Sequence, residues 1–142
     1  MFDTSHLHPM IVHFPIALTM TGLLLEFVRF FFCKNETKLP HGELLLYFGT
    51  ASVVCAILSG FLFTATFTGK TLEVRNLHVL LAVLSTVSLL LTSSFYLIAR
   101  FGKQKRDVFR VVGLIFYVIS AILISATGFM GGSLVYNYMI GV

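Results

Sequence analysis

The sequence predicts an all-α fold, a four-helix transmembrane bundle of up-down-up-down topology, from three observations. Of 142 residues, 57% are hydrophobic and only 11% charged, and the mean hydropathy is +0.93, so there is too little polar surface to coat a water-soluble globule and the solvent is lipid. The apolar residues fall in four stretches, roughly Met10 to Phe32, Glu43 to Phe67, Leu77 to Ala99 and Val108 to Met130. Each matches the about 20 residues needed to cross a hydrocarbon core of about 30 Å. The connections are short and polar, CKNETKLPHG (33–42), TGKTLEVRN (68–76) and RFGKQKRD (100–107), which makes neighbouring helices antiparallel. Residues 1–142 read as a single four-helix transmembrane domain with no room for a soluble one.

Orientation follows from the basic residues. Arg29, Lys34 and Lys38 flank the first connection, and Arg100, Lys103, Lys105, Arg106 and Arg110 flank the third, so these two are expected on the cytoplasmic side and both termini in the periplasm. The same placement accounts for the net charge of +4 without a nucleic-acid partner. The first stretch lacks a basic n-region and an A-x-A site, and is expected to remain as a helix rather than be cleaved as a signal. Cys33 and Cys55 stand alone, with no metal-ligand spacing, and read as small apolar fillers.

Chemistry is suggested by histidines. His6, His8 and His13 fall within HLHPMIVH. With Pro9 acceptable in a first helical turn, the helix is expected to start near His8 or Pro9 with His13 about one turn in, and Pro15 leaves room for a bend or a later start. Counted to the basic residue that closes each span, from His13 to Lys34 and from His78 to Arg100, the two histidines stand almost equally far from the cytoplasmic face. They are thus expected at one level in the membrane. The first and third helices of such a bundle are diagonal neighbours, so both rings can point at a common axis. Setting His13 on His78 also superposes Ala17, Thr21, Leu24 and Leu25 on Ala82, Thr86, Leu89 and Leu90, a faint internal repeat in which small residues follow each histidine.

Two neutral imidazoles facing each other suit a b-type haem, whose iron takes one nitrogen from each side. Gly128, Gly131 and Gly132 arrive at the same level on the fourth helix, and Ser52, Ala56, Gly60 and Thr64 form a small-residue stripe on the second. Both leave room for a flat ligand. Arg75, one turn outward from His78, is placed to pair with a propionate, and Tyr136 and Tyr138 share that interface. Each feature also has an ordinary reading: an interfacial histidine, small residues that pack helix on helix, and Arg75 paired with Glu73. His41 falls at the opposite end and reads as a loop residue. Glu26 is an ionisable group inside a span, costly unless paired, and Arg29 is its expected partner.

The segments HPMIVHFPIAL, RNLHVLL and GFMGGSLVYNYMIGV resemble a widespread bacterial family of predicted four-helix inner-membrane proteins of unknown function. The likeness covers essentially the whole chain and carries over to His8, Pro9, His13, Pro15, His78, Gly131, Gly132, Leu134, Val135 and Tyr136. Relatives joined to Rieske-type or c-type cytochrome domains imply a redox setting. Many relatives also carry an acidic residue just after the second helix, where this chain reads TATFTGK.

The preferred expectation is a membrane b-type cytochrome, an electron carrier rather than a substrate-converting enzyme. It would hold one or two haem b groups near the periplasmic face, with His13 and His78 as axial ligands and His8 either replacing His13 or serving a second haem. A periplasmic redox protein or a quinone would exchange electrons with it, and a homo-oligomer is compatible. The alternatives are a Cu- or Zn-binding or transport protein using His6, His8, His13 and His78, and a structural subunit of a larger membrane complex. Against transport stands the lack of a polar path through the bundle.

Overall fold

The structure, a computed structural model, describes residues 7–32, 41–63, 69–102 and 105–138. They form four helices, α1 (Leu7–Phe32), α2 (His41–Phe63), α3 (Lys70–Phe101) and α4 (Arg106–Tyr138), with no strand among the described residues. All four are long and apolar enough to cross a membrane. α1 packs closely on α2 and α3 on α4, while lighter α1–α4 and α2–α3 contacts close the ring. The first and third helices are therefore diagonal, as expected.

Two helix boundaries differ from the sequence reading, the start of α3 and the end of α4, while the start of α1 falls where the sequence puts it. Part of the expected second connection is helical, because α3 begins at Lys70 after Gly69, which holds the left-handed φ of 65°. The acidic Glu73 in the first turn favours that start. α3 has 32 residues and α4 33, about 50 Å at 1.5 Å per residue, so their ends project beyond the hydrocarbon and polar residues there cost little. α4 also continues through Gly128, Gly131 and Gly132 to Tyr138, since glycine in a membrane helix is retained where a neighbour packs on it. α1 starts at Leu7 and runs through Pro15, so neither a later start nor a break occurs there. His6, Cys33 and Thr64 lie outside the described residues.

The outside of the bundle is apolar, and its polar side chains gather inside among apolar ones. Phe14, Leu24, Leu62, Ile122 and Phe129 are exposed, whereas Thr19, Glu26, Glu43, Thr50, Ser85, Thr92 and Ser120 are buried. Hydrocarbon cannot hydrogen-bond, so polar side chains turn inward where other helices can satisfy them. Leu46, Leu89, Tyr96 and Tyr117 are the largest side chains of the buried core, and the two tyrosine rings meet edge-on at 6.2 Å.

An internal two-fold pattern organises this interior. Setting His8 of α1 on His78 of α3 also brings Pro15, Thr19, Gly22, Leu23 and Glu26 onto Ser85, Leu89, Thr92, Ser93 and Tyr96. All of these are buried except half-buried His78. Setting Gly42 of α2 on Gly113 of α4 likewise brings Leu46, Gly49, Thr50 and Val53 onto Tyr117, Ser120, Ala121 and Ile124, again all buried. The expected correspondence of His13 with His78 is thereby replaced. Its α1 members His13, Ala17, Thr21 and Leu24 lie on an exposed face, because the stripe carrying Thr19 and Glu26 takes the inward side.

At the arginine-rich end, the Glu43 carboxylate gathers three guanidinium groups. Arg29 of α1 lies 3.2 Å away, Arg100 of α3 3.3 Å and Arg110 of α4 3.2 Å. Glu26 pairs with Arg29 at 3.4 Å, as the sequence suggests, and accepts a hydrogen bond from Tyr96 at 3.3 Å. Removing one partner from a buried ion network leaves uncompensated charge, at a cost of about 3–5 kcal/mol. Glu43→Ala is therefore expected to lower stability by about that amount, read from unfolding titrations in mixed micelles. A variant as stable as the wild type would show that the arginines find water or lipid phosphate instead.

Candidate functional site

At the opposite end a cavity of about 280 Å³ opens between the helices. It is lined by His8, His13, Arg75, His78, Gly128, Gly131 and Gly132, together with apolar side chains such as Val12, Ile16, Val53 and Ile124. Every residue expected to hold a cofactor thus borders one cavity. They differ in how they are held. His8 is 6% exposed, His78 is half-buried and His13 is exposed.

His8 and His78 are anchored in matching ways. His8 of α1 reaches across to α2, where its Nδ1 lies 2.7 Å from Ser59 Oγ. The Ser59 hydroxyl donates its proton to the Ala56 carbonyl at 2.7 Å, and so placed it accepts from His8 Nδ1. His78 of α3 reaches across to α4, where its Nδ1 lies 3.0 Å from the Thr127 carbonyl oxygen, which can only accept. Both rings therefore carry their proton on Nδ1 and present the Nε2 lone pair. Hydrogen bonding through one ring nitrogen is how proteins set the tautomer of a ligating histidine.

Glycines make the anchoring sterically feasible. A Cβ at Gly60 would stand 3.1 Å from His8 Cε1, and one at Gly131 would stand 3.1 Å from His78 Cε1. Gly60 and Gly131 are also equivalent under the two-fold pattern, in the same alignment that sets Gly42 on Gly113. The space at these positions is filled by the imidazoles themselves. Gly128 accommodates Ile16, and only Gly132 of the three expected on α4 has nothing within 4 Å of where its Cβ would be. The small residues thus seat the histidines more than they clear a slot for a flat ligand.

The two rings line the same cavity. Equivalent positions meet directly at the other end of the same helices, where Tyr96 donates to Glu26. Half-buried Arg75 lines the cavity and Tyr136, 83% exposed, stands at its rim. Tyr138's side chain lies outside the described residues, and His41 is exposed at the arginine-rich end. Among the described residues no three His, Cys, Asp or Glu side chains come together as a metal-ion site. The copper or zinc alternative consequently gains no support.

Sequence reasoning missed Ser59, Thr127 and the role of Glu43. The first two are ordinary residues of apolar helices, distinguished only by the histidine that each anchors. The spacing that links His8 to His78 and Gly60 to Gly131 finds the glycines but not these anchors, since it sets Ser59 on Met130 and Ala56 on Thr127.

A family profile described as "Predicted membrane protein (DUF2231)" matches residues 4–142. The chain belongs to the DUF2231 family. No curated protein and no solved structure matches it. Membership agrees with a bundle whose four helices are long and apolar enough to span a membrane, and the description assigns no activity to the cavity.

The anchoring has a direct spectroscopic consequence. In protein labelled with ¹⁵N-histidine, His8 and His78 are expected to show protonated Nδ1 and unprotonated Nε2, and Ser59→Ala should remove that preference from His8 alone. Nε2 protonation in both rings of the wild type would contradict the arrangement.

Proposed function

We propose that this membrane protein binds haem b between His8 and His78 and carries electrons. The observation that supports it is the symmetric imidazole pair on diagonal helices, each ring fixed through Nδ1 to a neighbouring helix and seated on a glycine. A haem iron held by two histidines needs neutral rings with free Nε2 lone pairs, and the donor set fits. The apolar lining suits a macrocycle, and Arg75 is placed to bind an anionic substituent. At about 280 Å³ the cavity sits just below the about 300–1,000 Å³ range of small-molecule pockets. A group of haem size therefore extends past the rim, where His13, Gly132 and Tyr136 stand.

When bound in this way, haem supplies a one-electron couple with both axial positions filled. The protein's own residues do the rest. Ser59 and Thr127 hold the imidazoles in the ligating tautomer, which raises their basicity. Val12, Ile16, Val53 and Ile124 limit water, and Arg75 provides positive charge that favours the anionic side chains. With His8 in the pair, exposed His13 is a rim residue and not the first axial ligand. The basic residues at the other end support a cytoplasmic location for that end, with the cavity facing the periplasm of a bacterial inner membrane and a periplasmic redox protein or a quinone as partner.

The test is the absorption spectrum of protein purified from haem-replete cells, before and after dithionite. A Soret band that sharpens and moves to longer wavelength on reduction is expected. His8→Ala and His78→Ala should each lose the pigment, while His13→Ala should keep it. A colourless wild type overturns the proposal. Pigment that survives in His8→Ala but is lost in His13→Ala reassigns the pair to His13 and His78.

A further inference from the structure

The interior between the arginine-rich end and the histidine cavity contains a row of hydroxyls. It begins where Tyr96 donates to Glu26 Oε2 at 3.3 Å. About one turn along α3, Ser93 and Thr50 of α2 share a hydrogen bond of 2.8 Å. Alongside, Ser120 of α4 bonds Thr92 at 3.2 Å and Ser88 at 2.7 Å. One turn further Ser85 borders the cavity. All of these side chains are buried, so the interior holds the polar route that the sequence reading found lacking.

Adjacent steps on α3 are three or four residues apart, about 4.5–6 Å of rise, a gap that one water closes with two ordinary hydrogen bonds. Two more hydroxyls, Thr19 Oγ1 and Tyr117 OH, are fully buried and have no hydrogen-bond partner among the described residues. Helix adhesion accounts for paired hydroxyls. It does not account for unpaired ones in the same interior. Intramembrane polar groups of this kind mark ion and proton routes.

We propose that this row is a proton path joining Glu26 to the histidine cavity. The Glu26 carboxylate takes a proton from water at the arginine-rich end, and the proton moves along the row by exchange, each oxygen accepting a proton as its own moves on. Only O–H bonds are made and broken. The hydroxyls of Thr50, Ser85, Thr92 and Ser120, which donate to backbone carbonyls of their own helices, rotate out of those bonds to pass the proton and back into them to restore the row. At the cavity Ser85, which borders the opening, hands the proton to solvent water. The path leaves Nε2 of His8 and His78 free, so it operates with or without haem. Glu26 is faced by Arg29 on its own helix, Glu43 on α2, Tyr96 on α3, and Arg110 and Tyr117 on α4. This cationic surrounding lets the carboxyl release a proton without leaving net negative charge in the core.

The experiment is proton flux into proteoliposomes of the full chain, driven by a valinomycin–potassium diffusion potential and read with an internal pH dye. The wild type should conduct above protein-free vesicles, and Glu26→Gln should fall to their level. Wild-type flux no greater than that of empty vesicles overturns the path, as does a folded Glu26→Gln protein that conducts like the wild type. If Glu26→Gln does not insert, the same comparison is made with Ser120→Ala, which removes the hydroxyl shared by Ser88 and Thr92. A colourless protein that conducts would sink the haem reading and leave the path, and a pigmented protein that does not conduct would do the reverse.

Discussion

The carboxylate of Glu43 is the point on which the bundle closes. It belongs to α2, and its three guanidinium partners come from the other three helices. A charge buried at a membrane helix end is tolerable only with such partners, so the network fixes both the axial position and the rotation of every helix. Turning any of them by one residue, about 100°, would take its arginine away from Glu43 and swing its inward stripe towards lipid. The rest of the interior follows from that registration. Thr50 meets Ser93, Ser120 meets Ser88 and Thr92, and the histidines arrive at a shared cavity because the helices are held in register at the far end.

The two-fold pattern explains why the far end is built as it is. Two hairpins, α1–α2 and α3–α4, are related so that equivalent positions on the diagonal helices face each other. Where the pair is Glu26 and Tyr96, unlike side chains hydrogen-bond across the bundle. Where the pair is His8 and His78, like side chains cannot satisfy each other in the same way, since two Nδ1–H tautomers present two lone pairs. Each ring instead satisfies its proton on its own hairpin partner, Ser59 or Thr127. What remains between them is a pair of electron donors with nothing of the opposite character supplied by the other ring. That is the electronic requirement of a shared acidic centre, and it arises from symmetry rather than from any one residue.

The spans, the basic end and the gathering of histidines were legible in the sequence because length, charge and residue type carry them. Rotation of the helices was not. With 57% hydrophobic residues, apolar side chains cover inward and outward faces alike, and hydropathy does not distinguish the core from the lipid surface. His8 and His13 stand about 140° apart around a helix, so the histidines alone do not say which one turns inward. The decision rests on distant partners such as Ser59 on the next helix, and on Gly60, whose missing side chain becomes meaningful only when the His8 ring is seen against it. The same limit hid Glu43. By sequence it is an acid beside a loop, and its function depends on Arg29, Arg100 and Arg110 converging in space.

The two ends of the bundle therefore differ in what their polar groups do. Around Glu43 the charges are paired, the tyrosine rings of Tyr96 and Tyr117 pack edge-on beneath them, and the side chains contribute to holding the helices. At the cavity the anchoring interactions are equally specific, yet they engage only one nitrogen of each imidazole. Fixing two rings against glycines on neighbouring helices, without closing the space between them, does little for the stability of a bundle already registered elsewhere. The unengaged nitrogens are the part of the site left to the proposed ligand, while the arginine end holds the helices and, through Glu26, supplies the start of the proposed proton path.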